Sequence, residues 1–101
     1  MLQWLELFKE AQEISRRIEE ELAQIEIEVA VHQDRIRIRM DGTKTVTDLE
    51  IAPELLHPDR KDELERWLLI GLQQATQRVD EEVRQRVQQF LPPGLRLPGF
   101  S

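Results

Sequence analysis

The fold is decided by Ile25-Glu26-Ile27-Glu28-Val29-Ala30-Val31-His32-Gln33-Asp34-Arg35-Ile36-Arg37-Ile38-Arg39-Met40-Asp41-Gly42-Thr43-Lys44-Thr45-Val46-Thr47-Asp48-Leu49-Glu50-Ile51. In three separate runs the side chains alternate in character. Ile25, Ile27, Val29 and Val31 face one way, with Glu26 and Glu28 opposite. Ile36, Ile38 and Met40 face one way, with Arg35, Arg37 and Arg39 opposite. Thr47, Leu49 and Ile51 face one way, with Asp48 and Glu50 opposite. A period of two means a half-buried strand, so the stretch predicts three short strands with one apolar face.

The faces also predict the register, because a slip of one residue would turn every apolar side chain to water. A two-residue turn at Gln33-Asp34 pairs Val31 with Ile36, Val29 with Ile38 and Ile27 with Met40. A two-residue turn at Thr43-Lys44 pairs Met40 with Thr47, Ile38 with Leu49 and Ile36 with Ile51. Neither turn has Asn-Gly chemistry, which leaves longer loops open, with Gly42 as the bulge position. On the polar face this register sets Arg39 between Glu28 and Asp48, and Arg37 beside Glu50. The row Arg35-Arg37-Arg39 then reads as a salt-laced solvent face, against the alternative of direct phosphate contact.

Upstream, Leu2 to Gln24 reads as a helix. Its seam is Trp4, Phe8, Ala11, Ser15, Ile18, Leu22 and Ile25, with alternating steps of four and three; Ile25 fits both the helix and the strand pattern. Such a helix either packs on its own sheet or meets a partner chain with its outer part. Downstream, Ala52-Pro53-Glu54-Leu55-Leu56-His57-Pro58 is a turn-rich connection. Asp59 suits an N-cap, and a second helix runs from about Arg60 to Phe90. Its stripe is Leu64, Leu68, Leu72, Ala75, Val79, Val83, Val87 and Phe90. At ~1.5 Å per residue it is about 45 Å long, more than a globule of this size can cover. Around Trp67-Leu68-Leu69-Ile70-Gly71-Leu72 it is apolar on all sides, and one sheet covers one face only. The predicted cover for the other is the same segment of a second copy, with Trp67, Leu68, Ile70, Gly71 and Leu72 as the dimer interface. Gly71, lacking a side chain, would permit close crossing. Paired prolines at 92 and 93 end the helix.

The 101 residues make one domain, with residues 91–101 a Pro/Gly-rich tail. The fold class is α+β, in the order αβββα, as an intertwined homodimer. There is no cysteine, which points to the cytosol and rules out a disulfide framework. The N-terminus lacks the basic start and unbroken apolar run of a signal peptide. The longest apolar run, Trp67 to Ile70, is far short of a membrane span.

Catalytic chemistry is hard to build from these residues. His32 falls at a hairpin turn and His57 before a proline, both read as solvated loop positions without a metal-ligand spacing. Ser15 lies in a helix seam and Ser101 is terminal, so neither resembles an activated nucleophile. No catalytic residue, metal site or cofactor is expected. The formal net charge of −6 weighs against generic polyanion binding. Most basic residues also have acids four positions away on a helix: Lys9-Glu13, Glu13-Arg17, Arg16-Glu20, Arg17-Glu21, Asp62-Arg66, Arg78-Glu82, Asp80-Arg84 and Glu82-Arg86. The exception is the stretch from Val83 onward, which carries Arg84, Arg86 and Arg96 and no acidic side chain. Those three, joined by Arg16 and Arg17, are the candidate polyanion contacts.

Two stretches carry a resemblance. One runs from Ile36-Arg37-Ile38-Arg39-Met40-Asp41-Gly42 through Val46-Thr47-Asp48-Leu49-Glu50-Ile51-Ala52-Pro53-Glu54-Leu55-Leu56. The other is Leu91-Pro92-Pro93-Gly94-Leu95-Arg96-Leu97-Pro98-Gly99-Phe100. With the long helix between them they resemble the YbaB/EbfC family of bacterial nucleoid-associated proteins, with Ala52 where aspartate is usual. The resemblance implies a homodimer whose helices project like tweezers, binding double-stranded DNA with little sequence specificity and altering its conformation in the cytoplasmic nucleoid. Here residues 1–23 carry six acids against three bases, unlike the lysine-rich first helix of many members. That shifts DNA contact toward the C-terminal arms, or favours an acidic protein-interaction dimer of the same fold.

Overall fold

The computed structural model describes residues 2–90 as helix α1 (Leu2–Gln24), strands β1 (Glu26–Val31), β2 (Ile36–Asp41) and β3 (Val46–Ile51), two 3-10 turns (Pro53–Leu55 and Pro58–Arg60) and helix α2 (Lys61–Phe90). The αβββα order is the predicted one. The strands form one antiparallel sheet in the order β1-β2-β3. No helix of the described residues is long and apolar enough to cross a membrane.

The β1–β2 register is as the alternation predicts: Val31 opposes Ile36, Val29 opposes Ile38 and Ile27 opposes Met40. The Gln33-Asp34 turn is closed by the Arg35 N–H donating to the His32 carbonyl at 3.2 Å. Gln33 and Asp34 both have positive φ, at 57° and 63°, the geometry that matches strand twist in a two-residue hairpin. Between β2 and β3, Ile36–Ile51 and Ile38–Leu49 pair as expected, but Met40 pairs with Val46 rather than Thr47. The reason is loop length. Asp41 N–H donates to Thr45 O and Lys44 N–H to Asp41 O, each at 3.0 Å, and Lys44 has φ 67°. This is a three-residue loop with a left-handed third residue. It offsets the ladder by one, and a bulge opposite Arg39 and Met40 restores it.

The core lies between the sheet and α2. Val29, Val31, Ile36, Ile38, Met40, Leu55, Ala75 and Val79 are buried together, with Leu64, Trp67, Leu68, Ile70, Leu72 and Val83 packed around them. Gly71 is buried inside this contact, not at a free surface: a Cβ there would lie 2.7 Å from Ile38 Cδ1 and 3.2 Å from Val31 Cγ2. The close crossing predicted for a subunit contact is therefore made to the chain's own sheet. The helix start also differs from expectation. His57, not Asp59, is the capping residue; its Nδ1 accepts from the Asp59 N–H at 3.2 Å at the head of the 3-10 turn that leads into α2.

α2 covers only part of the apolar sheet face. Leu49 is 44% exposed and Val46 43%, so β3 is more open than its alternation predicts. α1 leaves most of its apolar seam off its own sheet. Trp4 is 69% exposed, Phe8 53% and Ile18 50%, and the rings of Trp4 and Phe8 stack on each other with centroids 6.2 Å apart. The helix is tethered at its C-terminal end, where the Leu22 carbonyl accepts from Ile25 N–H at 3.1 Å and from Gly42 N–H at 2.9 Å. The radius of gyration is 18.8 Å, against about 13 Å for a compact chain of this length. The excess comes from two helices reaching beyond a small core.

Candidate nucleic-acid interface

Nucleic-acid backbone contact needs cations that are exposed and not already neutralised. Helix spacing predicted that most basic residues are spent on acids one turn away. The structure closes few of those pairs. Of the eight expected, Arg16–Glu20 at 4.0 Å and Arg86–Glu82 at 3.3 Å are formed. Among the described residues Lys9, Arg17, Arg66 and Arg84 stand in no ion pair within 4 Å. Arg78 turns away from Glu82 and donates from Nη1 to the Glu28 carbonyl at 2.8 Å, tying α2 to the outer side of β1.

Arg84 is the informative case. Asp80 sits one turn before it, the spacing for an i,i+4 pair. Instead Asp80 Oδ1 lies 2.9 Å from Lys44 Nζ, in the β2–β3 loop. Arg84 is left exposed on α2, one turn beyond the Lys44 contact, with its expected acid engaged elsewhere. The neighbouring Arg86 is held by Glu82 through its Nε. Arg96 lies outside the described residues. On α1, Arg17 is exposed and unpaired, while Arg16 faces Glu20 across a long, mostly exposed contact. The four nominated arginines that fall within the described residues are thus divided between two helices, Arg16 and Arg17 on α1 and Arg84 and Arg86 on α2.

The sheet's polar face is largely neutralised. Arg39 lies between Glu28 and Asp48 in the register, as expected, and its guanidinium is 3.8 Å from Glu28 and 3.9 Å from Glu26. Arg35 lies 3.4 Å from Glu54. Arg37 opposes Glu50 in the register without an ion pair within 4 Å. Exposed pairs of this kind hold charge in place without adding much stability.

His32 is not the solvated turn residue that its position suggested. Its ring stacks on Trp67 with centroids 4.8 Å apart and planes at 14°. Its Nε2 lies 2.5 Å from Glu63 Oε1, and Glu63 Oε2 is 3.6 Å from Arg60 Nε. Strand alternation puts His32 on the polar side, after Val31. A φ of 56° swings it under the hairpin to α2, which no periodicity in the sequence signals. His57 is mostly exposed, as expected. Among the described residues no three His, Asp or Glu side chains converge to hold a metal ion.

The loop that carries Lys44 is organised by Asp41. Its Oδ1 accepts from Thr43 N–H at 2.8 Å, Thr43 Oγ1 at 2.5 Å and Thr45 N–H at 3.2 Å. The Thr43 hydroxyl and, behind it, the two backbone amides hold the Asp41 carboxyl below its ordinary pKa, against the opposing effect of burial.

Residues 1–95 match the model of the YbaB/EbfC DNA-binding family. A nucleoid-associated protein of Bartonella tribocorum is 26% identical over 103 residues, covering 97% of this chain and 96% of that one. A nucleoid-associated protein of Roseiflexus castenholzii is 30% identical over 95 residues, covering 94% and 93%. Among solved structures, an uncharacterized protein of Helicobacter pylori superposes with a TM-score of 0.65 at 18% identity, over 84% of this chain and 99% of that one. That likeness speaks to the fold.

Proposed function

The chain belongs to the YbaB/EbfC DNA-binding family, and from that premise we propose that it is a homodimeric nucleoid-associated protein of the bacterial cytoplasm. It holds double-stranded DNA through phosphate contacts, with little sequence specificity, alters the DNA's conformation and catalyses no reaction. The family match along residues 1–95 carries this reading. The nucleoid-associated names of its relatives support it, as does an exposed Arg84 whose helical acid is engaged by Lys44.

The dimer is supported by uncovered apolar surface. Trp4, Leu7, Phe8, Ile14 and Ile18 on α1, Val46 and Leu49 on β3, and Leu69 on α2 are each more than two-fifths exposed. Uncovered apolar surface on this scale marks an interaction site, and because these side chains are already about half buried, covering the rest would stabilise by roughly half of the about 1.5–3 kcal/mol of a fully exposed one. Trp67, Leu68, Ile70 and Leu72 keep part of their surface for such a contact. Gly71 keeps none.

A duplex mobility shift over a salt series tests the reading. Binding by n phosphate contacts must weaken steeply as salt rises, with a slope close to −0.9n, roughly. Absence of any shift at low salt refutes it. Sedimentation of the same sample reads the mass of the free protein, and a monomer at micromolar concentration removes the dimer. The net charge of −6 favours a second reading, an acidic protein-interaction dimer with weak or no DNA binding. Protein partners that stay bound after nuclease treatment, together with no duplex shift, would select it.

A further inference from the structure

We propose that Lys44 is a positioning residue for DNA binding: from the β2–β3 loop it engages Asp80 and so leaves Arg84 an unneutralised cation on the outer part of α2. The inference rests on the reading that Arg84 meets phosphate.

The geometry makes Asp80 a contested acid. Helix spacing offers it to Arg84, four residues on, and on an isolated helix that pair would form. The tertiary fold offers it to Lys44, whose Nζ stands 2.9 Å from Oδ1. Lys44 does not reach that position by chance of rotamer alone. Its φ of 67° is set by the three-residue loop, and its N–H is bonded to Asp41 O at 3.0 Å. The loop is in turn gathered by the Asp41 carboxylate through Thr43 and Thr45. The loop fixes the Lys44 backbone within reach of Asp80, and in the folded chain it is Lys44 that holds the acid. Both partners of the Lys44–Asp80 pair remain about half exposed. The pair is therefore of little use for stability. Its effect is on which cation remains free.

This explains how a chain of net charge −6 can keep a usable cation on α2. Attraction to phosphate is local, because charges more than about 8–10 Å away are screened at physiological salt. What the Lys44 contact decides is whether Asp80, the acid at the i,i+4 spacing from Arg84, is occupied.

The test is a set of full-length variants assayed by fluorescence anisotropy on a 30-base-pair duplex, at fixed salt near 0.15 M. Lys44→Met frees Asp80 to neutralise Arg84. An i,i+4 pair is worth about a factor of two in an equilibrium, so two arms of a dimer together lose about fourfold in affinity. Lys44→Arg should bind as the wild type does. Lys44→Met with Asp80→Asn should return to wild-type affinity, and in an Arg84→Gln background Lys44→Met should cost nothing further. A purely structural role for Lys44 predicts no rescue by Asp80→Asn, and direct phosphate contact by Lys44 predicts a loss that survives both backgrounds; either result overturns the proposal. If Arg84→Gln weakens binding and Lys44→Met does not, the relay fails while the Arg84 reading stands. If Arg84→Gln alone leaves binding unchanged, both fall.

Discussion

Gly42→Ala should displace α1 while leaving the sheet and α2 folded. A Cβ on residue 42 would stand 2.4 Å from the Leu22 carbonyl oxygen, 3.0 Å from its carbon and 3.1 Å from its Cα. Ordinary contact begins near 3.4 Å, so the backbone at Leu22 must retreat by about 1 Å, because no side-chain rotation can relieve a backbone clash. The retreat breaks the 2.9 Å bond from Gly42 N–H to Leu22 O, at a net cost of about 0.5–1.5 kcal/mol. That contact is the main tether of α1 to the rest of its chain. A 1 Å shift applied across one 5.4 Å turn tilts the helix by roughly 10°, and over 23 residues, about 34 Å, its far end moves by roughly 6 Å. In the proposed dimer, a seam displaced that far no longer meets the surface that would cover it. The variant should therefore keep its far-ultraviolet circular dichroism and its cooperative urea transition, lose about 1–3 kcal/mol in the monomeric core at most, and dissociate at higher protein concentration. Sedimentation equilibrium over a concentration series measures the last of these. A Gly42→Ala protein with wild-type dissociation constant and wild-type stability would refute the view that this glycine is present for the close approach of α1.

Two further outcomes follow from the loop geometries. Asp41 has its carboxyl pKa lowered in the folded state, so its contribution to stability is fully present above the unfolded aspartate range and is lost as pH falls through the folded pKa, below about pH 4. Urea midpoints at pH 7 and pH 3 should therefore differ by less in Asp41→Asn than in the wild type, and an equal difference in the two proteins would contradict the assignment. His32→Ala removes the stack on Trp67 and the bond to Glu63, for a loss of about 1–3 kcal/mol, and leaves a non-glycine residue at φ 56°. His32→Gly removes the same contacts but not the freedom to adopt that φ, so it should be the more stable of the two by about 1 kcal/mol in denaturant titration.

The parts of this fold that could be read from the sequence are those where one side chain in two or one in three or four decides the answer. Ile36, Ile38 and Met40 against Val31, Val29 and Ile27 leave no second register that keeps them dry, and the β1–β2 ladder follows. The reading stops where a single residue leaves the regular backbone. Lys44 at φ 67° adds one residue to a loop and moves Met40 from Thr47 to Val46. His32 at φ 56° crosses from the polar face to the α2 side and becomes a packing residue. Positive φ is a minority conformation for both residues, even for the somewhat enriched histidine, so propensity does not announce either. The charge pattern fails for a different reason. Spacing on a helix shows which acids a given arginine can reach, and Arg84 can reach Asp80. It does not show which cations from elsewhere in the fold reach the same acid first. The run from Val83 onward nominated Arg84 because it contains no acid, yet Asp80, the acid four residues before Arg84, lies just upstream of that run, and Lys44 engages it. The same loop residue therefore accounts for both failures. The left-handed turn that upset the predicted register is what aims Lys44 at α2, so the part of the sheet that sequence reasoning misplaced by one residue is the part on which the charge of the arm depends.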